Sequence, residues 1–518
     1  MPASSNWRVG WRRGRRHSFP LLINLTENWK LVAIPLLSPG SMATAPPSKP
    51  SLLLDAGILP DDPRLATEEA EILETKAAGG QFKIPDFPDF RTKVERAFET
   101  ARGIDGGTNA DYIDELAKED PTLYAFAACT VDGQRMSLGD DTYEFSVQST
   151  VKPVLYGMAL ERYGEAEVHR YVGREPSGVE FNKVRLSKRG VPHNPVNNAG
   201  AITTASLMCD PADGNTAFHY KRLAQTYKAL GGNIFNVGFS VTVFDSERET
   251  ATRNRRIALT IKETGPDKPI GFPPHVKTDT RDVERVLEFY FKACSIEQDV
   301  RALSVLAATL ANGGVCPLTG EQVFSPETVK YVLTVMDTCG MYDYSGEFKN
   351  RFGQPAKSGV SGVIIVVIPG HLGFAVFSPP LDKHHNSFRG LAFCQALWDI
   401  YTFHPFDGLV PIKSKTNPFV DRIEDDGFSV YQANQAAFVG NLSLLRSLTS
   451  RGYDLTKGDY DKRSPIHLAV CGGHLDVITY LVEECGADPS TTDRWGHSPL
   501  EEATTAGFDA IVEYLSKK

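Results

Sequence analysis

The chain has 518 residues, 41% apolar and 23% charged, with 55 Lys plus Arg against 64 Asp plus Glu for a net charge of −9. That length implies more than one domain, the composition excludes a disordered or collagen-like chain, and the acidic balance argues against nucleic acid as the main partner. The charge is uneven: residues 1–50 hold seven basic groups (Arg8, Arg12, Arg13, Arg15, Arg16, Lys30, Lys49) against Glu27, so they carry +6 and residues 51–518 carry −15.

The Arg-rich, acid-poor start has the composition of a mitochondrial transit peptide. The alternative is an unfolded or untranslated extension, with Met42 as a second start. The expected location is therefore mitochondrial if residues 1–41 are an address, and cytosolic otherwise. Residues 42–50 read as a Pro/Ser/Ala linker that closes a leader segment, 1–50. Residues 51–105 read as a short helical region: a helix over Thr67 to Ala77, then Phe82 to Phe90, where prolines predict an extended path. A Gly-rich break from Gly103 to Asn109 puts the main domain at 106–415.

Within that domain Leu123 to Thr130 predicts a strand ending at the turn Asp132-Gly133. Ala302 to Asn312 predicts a buried helix that stops at Gly313-Gly314. Val363 to Ile368 and Gly373 to Phe377 predict two strands about Pro369-Gly370. The first is apolar throughout, which places it at the centre of a sheet covered on both faces. No apolar run reaches the ~20 residues that span a bilayer. Strands early and late with helices between them predict an α/β (α+β) domain. The eight cysteines stand singly with no CxxC pair, which reads as reduced, mostly buried thiols rather than a disulfide or zinc framework.

Residues 416–518 carry a period of 33–34. Ser464-Pro-Ile-His-Leu-Ala469 returns as Ser498-Pro-Leu-Glu-Glu-Ala503, and Gly473 has counterparts at Gly440 and Gly507. This resembles the ankyrin repeat, an all-α stack in which each helix pair covers its neighbour's apolar face.

The chemical signal is Ser149-Thr-Val-Lys152. On a helix, residues three apart share a face, and Pro153 is tolerated in a first turn, so the helix is expected to begin at Ser149. A serine there has free backbone N–H groups for an oxyanion, and a buried Lys152 loses its preference for charge and can act as a base. Lys357-Ser-Gly359, just before the apolar strand, supplies the second motif of Ser-x-x-Lys acyl-transfer enzymes.

Longer segments carry a specific resemblance. They include Gln148-Ser-Thr-Val-Lys-Pro153, Phe181-Asn-Lys183, His193-Asn-Pro195 with Asn198-Ala-Gly-Ala201, Ser246-Glu-Arg-Glu249 with Arg253-Asn254, Cys294-Ser-Ile-Glu297, Cys339-Gly-Met-Tyr342 and Pro355-Ala-Lys-Ser-Gly-Val360. The chain from about Asp111 to His404 resembles the serine-dependent glutaminases, and the ankyrin tail resembles their animal-type members. The resemblance implies a β-lactamase/penicillin-binding-like domain with a helical subdomain, hydrolysing L-glutamine to L-glutamate and ammonia through a Ser-Lys dyad and a glutamyl ester. It puts the nucleophile on Ser149, the base on Lys152 and catalytic tyrosines on Tyr112 and Tyr342. Ser149, Asn198, Glu247, Asn254, Tyr290, Tyr342 and the Val360 amide become the substrate contacts. Glu247 suits the substrate ammonium, and Asn198, Asn254 and Tyr290 suit its carboxylate. Glu247 and Asn254, seven apart, are expected on one helical face.

No cofactor or metal is implied, and inorganic phosphate is an expected activator. The partners implied are L-glutamine, a further copy of the chain in a dimer or tetramer, and a protein at the ankyrin repeats. Three departures bear on this. The N-terminal helical region is short, the segment from Gly178 to His193 that gates relatives carries Ser187-Lys-Arg-Gly190 where they are acidic, and only parts of the helical dimerisation module are present. Two rival readings are an exported β-lactamase-type enzyme and an ankyrin interaction protein with a dead enzyme domain. The ankyrin tail opposes the first, and the complete set of expected catalytic residues opposes the second.

Overall fold

The computed structural model describes residues 49–178, 186–263, 272–276, 280–409, 415–420, 422–450 and 452–518. The leader and linker up to residue 48 and the Phe181-Asn-Lys183 motif lie outside the described residues. Eight strands occur among them: β1 (Ala125–Thr130), β2 (Arg135–Gly139), β3 (Phe145–Ser146), β4 (Gly238–Phe239), β5 (Ile296–Gln298), β6 (Ala356–Gly359), β7 (Val363–Ile368) and β8 (Leu372–Phe377). Five form an antiparallel sheet in the order β2-β1-β8-β7-β6, and the short ones form a second, β3-β5-β4.

The predicted apolar strands are β7 and β8, adjacent inner strands of the main sheet with β8 at its centre. Every residue in both is buried, and alternate side chains enter two different cores. Val363, Ile365, Val367, Ala375 and Phe377 join the helical insertion. Ile364, Val366, Ile368, Phe374 and Val376 join the helices Phe87–Arg102 and Phe388–Ile400 on the other face.

Helix Val300–Ala311 is buried all round except at Arg301, as a helix beneath a sheet must be. It stops at Gly313 and Gly314, both at positive φ (65° and 91°). Its backbone touches β8 at Gly373, where a Cβ would come within 2.2 Å of the Ala307 carbonyl carbon. Rigid backbone on both sides leaves no room to yield. Gly373→Ala is expected to cost about 2–3 kcal/mol by overpacking, read as a lowered melting temperature.

The segment from Phe82 to Phe90 is not extended throughout. Asp86 caps a helix that begins at Phe87, accepting the Asp89 N–H at 3.1 Å, with Pro88 in the first turn where its missing N–H costs nothing. That helix packs Phe90, Val94 and Phe98 against Phe393 and Tyr401. Part of the 51–105 region therefore belongs to the main sheet's core rather than to a separate one.

The C-terminal part stacks three helix pairs: Arg422–Phe438 with Leu442–Ser450, Pro465–Gly472 with Leu475–Glu483, and Pro499–Ala506 with Asp509–Leu515. Ser464 and Ser498 open their helices with capping boxes. Gly440, Gly473 and Gly507 take the same left-handed conformation, at φ of 73°, 73° and 72°. Arg463 reaches into the next repeat, to Asp493 (3.0 Å) and Glu502 (2.6 Å). All eight cysteines are free thiols, five of them buried. Among the described residues no helix is long and apolar enough to cross a membrane.

Candidate active site

The Ser149 turn is built where the two sheets meet. Val147 donates to the Ile296 carbonyl at 2.8 Å, and Thr150 Oγ1 donates back to the Val147 carbonyl at 2.7 Å. The α-helix does not begin at Ser149. Gln148–Thr150 form a 3₁₀ turn, and the α-helix runs from Val151 to Tyr171. The cause lies in Gln148, whose φ of 46° is left-handed and aims the chain sharply into the helix. Ser149 is 8% exposed and lies next to the Tyr342 phenol.

Lys152 is 1% exposed, and its Nζ donates to Asn198 Oδ1 at 2.6 Å. Burial lowers its pKa to about 8, against smaller opposing effects of Cys294 and Glu247. Asn198 begins helix Asn198–Met208, capped by Asn197, which accepts the Gly200 N–H at 2.8 Å. The Asn198 amide orientation follows from its bonds. Oδ1 accepts from Lys152, and Nδ2 donates to Asn254 Oδ1 at 3.2 Å, which leaves Asn254 Nδ2 to serve as a donor.

Glu247 and Asn254 do not share one helical face. Glu247 lies in helix Val241–Thr250 and Asn254 in helix Thr252–Glu263, with the chain breaking at Ala251. Glu247 is buried, and burial raises its pKa to about 8, opposed by the nearby Lys152 and Gln148. Its Oε2 is buried with no hydrogen-bond partner. Tyr290 and Cys294 sit one turn apart on helix Thr280–Cys294, and each shifts the other's titration. Tyr112 is 50% exposed as a residue, whereas its phenol lies near Tyr342 and Glu247. Burial of that hydroxyl, with those two neighbours, pushes its pKa well up.

Tyr342 opens a 3₁₀ turn at φ 53° and is buried, which raises its phenol's pKa, while Ser149 opposes. Val360, 2% exposed, follows β6 in a tight turn where Gly362 donates to the Gly359 carbonyl at 3.0 Å. A Cβ on Gly359 would sit 2.9 Å from the Val147 carbonyl, so this turn presses directly on the serine's loop. A cavity of about 490 Å³ opens beside Tyr342, lined also by Ser177, Asn194, Asn197 and Cys339. A cavity of about 710 Å³ between His371, Phe403 and His404 shares none of these groups.

The structure thus brings Ser149, Lys152, Asn198, Glu247, Asn254, Tyr290, Tyr112 and Tyr342 around one site, with Val360 in one buried cluster with Tyr342. Two neighbours, Gln148 and Cys294, had no role assigned from sequence, and Lys357 had none beyond membership of its motif. Cys294 had a signal in its four-residue spacing from Tyr290, and Lys357 in its motif. The left-handed backbone of Gln148 had none. Among the described residues no group of three or more His, Cys, Asp or Glu is placed to hold a metal.

The chain is similar to known proteins in both parts. A glutaminase family model matches residues 107–406, and a model of three ankyrin repeats matches residues 433–518. The chain is 42% identical to the liver isoform of mitochondrial glutaminase from Rattus norvegicus, over 86% of this chain and 72% of that one. It is 40% identical to putative glutaminase 2 of Caenorhabditis elegans, over 84% and 70%. The solved structure of the probable glutaminase ybaS aligns with a TM-score of 0.54 at 36% identity, over 59% of this chain and 94% of that one. Mglu in its tris and glutamate form aligns with a TM-score of 0.56 at 31% identity, over 62% and 68%.

Proposed function

This chain belongs to the glutaminase family, and we infer that its hydrolysis of L-glutamine to L-glutamate and ammonia runs through a Ser149–Lys152 dyad and a glutamyl ester on Ser149. The observation that carries the substrate assignment is Glu247 Oε2, a buried carboxylate oxygen without a protein partner beside the serine and lysine. A cation is what such a group lacks, and glutamine brings an ammonium. Asn254, Asn198 and Tyr290 offer donors to the substrate carboxylate, which leaves the side-chain amide to reach Ser149.

Neutral Lys152 takes the Ser149 proton, and Ser149 Oγ attacks the amide carbon. The Ser149 and Val360 N–H groups hold the oxyanion. Tyr342, next to Ser149, relays the proton held by Lys152 to the leaving ammonia, which returns the lysine to its neutral form. Water then enters by the same base and releases glutamate. Tyr112, near Tyr342 and Glu247, is the second tyrosine of the site. The incoming ammonium also works on the base: positive charge near Glu247 favours the carboxylate and, with Lys152 close by, favours neutral amine.

The mechanism calls on no metal or organic cofactor, and inorganic phosphate acts as an activator. The Arg-rich start, together with relatives named mitochondrial, supports a mitochondrial address. The chain acts as a dimer or tetramer, and the ankyrin stack offers a surface for a protein partner.

The test is ammonia release from glutamine and from asparagine, with and without phosphate. Asparagine is one methylene shorter, so its amide cannot reach Ser149 while its zwitterionic end is held. Its kcat/KM is expected at least about 100-fold lower. Equal rates on both would overturn the substrate assignment.

A further inference from the structure

Lys357 is the member of the Lys-Ser-Gly motif to which the mechanism above gives no task. It is 1% exposed and pairs across the sheet with Ile365, on the site-facing side of β6. Its Nζ donates to the Gly340 carbonyl at 3.0 Å and the Ser358 carbonyl at 2.7 Å. The same nitrogen lies 4.5 Å from the centroid of the Tyr342 ring. Two carbonyls and one π-face match the three N–H groups of an ammonium. The position is built for a cation, although burial and the repulsion of Lys152 push the Lys357 pKa down.

Tyr342 needs holding, because its φ of 53° is a conformation a tyrosine does not choose. Its backbone is latched by Ser345, whose Oγ accepts from Met341 N–H at 3.0 Å and donates to the Tyr342 carbonyl at 2.7 Å. Gly340 is pressed so hard against β6 that a Cβ would lie 1.7 Å from the Ala356 carbonyl oxygen. Its own carbonyl accepts both Ser358 N–H, at 3.2 Å, and Lys357. One carbonyl therefore ties the tyrosine's loop to the strand and to the lysine that underlies the ring.

We infer that Lys357 is a positioning residue for Tyr342: anchored on Gly340 and Ser358, it holds the ring by its π-face so that the phenol stays beside Ser149, and it does not contact substrate. This rests on the reading of Tyr342 as the proton relay.

The test is a double-mutant cycle in the full chain with Lys357→Met and Tyr342→Phe, each checked for a native melting transition. Lys357→Met is expected to lower kcat about 100-fold, the cost of a displaced relay, with KM within about threefold of the parent. In the Tyr342→Phe background the same change is expected to lower kcat by no more than about threefold, because the group it serves is already gone. If Lys357→Met does not fold, Lys357→Gln, which keeps a donor for the carbonyls, carries the same cycle. Equal losses in both backgrounds overturn the proposal, as does a raised KM with kcat kept, which marks a substrate contact. So does failure of both variants to fold, which marks a structural residue. Full kcat in Tyr342→Phe alone overturns the relay reading instead, which separates the two failures.

Discussion

Ser149→Ala is expected to abolish ammonia release, with kcat down about 10⁴–10⁶-fold, while the protein keeps its melting transition. The size of the effect follows from covalent chemistry. Without Oγ there is no nucleophile and no ester, and what remains is water in a pocket that binds substrate. The fold should barely respond. Ser149 sits in a turn held by Val147, Thr150 and Ile296 rather than by its own hydroxyl. What is lost is one small polar group beside the Tyr342 phenol. The measurements are coupled ammonia detection and a thermal melt on the same preparation. Residual turnover above about one tenth of the parent would show that Ser149 is not the nucleophile.

The second large effect is on pH. Lys152 must be neutral to take a proton, and burial has lowered its pKa to about 8. Glu247 must be ionised to pair with an ammonium, and burial has raised its pKa to about 8. The signs agree: below about 8 the lysine is charged and the glutamate is protonated, so both forms are wrong for catalysis. Activity is therefore expected to rise with pH through that region, kcat/KM by about tenfold per unit for one ionisation and more steeply where both contribute. Glu247→Gln is expected to raise KM by about 100-fold, since a neutral amide cannot pair with the substrate cation. The Lys152 limb should remain in its kcat profile. A kcat/KM that is flat from about pH 6 to about pH 9 would argue against Lys152 as the base.

What could be read from the sequence was whatever local pattern decides. Val363–Ile368 is apolar at every position, so it had to be covered on both faces, and β7 is. The glycines at 440, 473 and 507 recur at repeat spacing because each ends a helix in a left-handed turn. Patterns that depend on one cap or one break were not readable. Asp86 starts a helix through a proline-rich stretch that composition alone makes extended. Ala251 ends one helix and separates Glu247 from Asn254, although their spacing suits one face. In the site, the residue types and motifs pointed to Ser149 and Lys152. The supports on which they depend, such as Asn198 bridging Lys152 to Asn254, exist only once distant helices are packed.

Gln148 precedes the serine in the chain and Tyr342 lies next to it in space, and each holds a left-handed backbone that its side chain disfavours. Each such residue costs the folded state about 1–3 kcal/mol, a large share of the roughly 5–15 kcal/mol by which a domain is stable. Robustness and turnover therefore pull in opposite directions at these two positions. Glycine there would relieve the strain and raise the melting temperature, yet it would remove the phenol and the amide that the strain exists to aim. A library of this chain screened for heat resistance alone would drift toward well-folded, inactive protein first at residues 148 and 342.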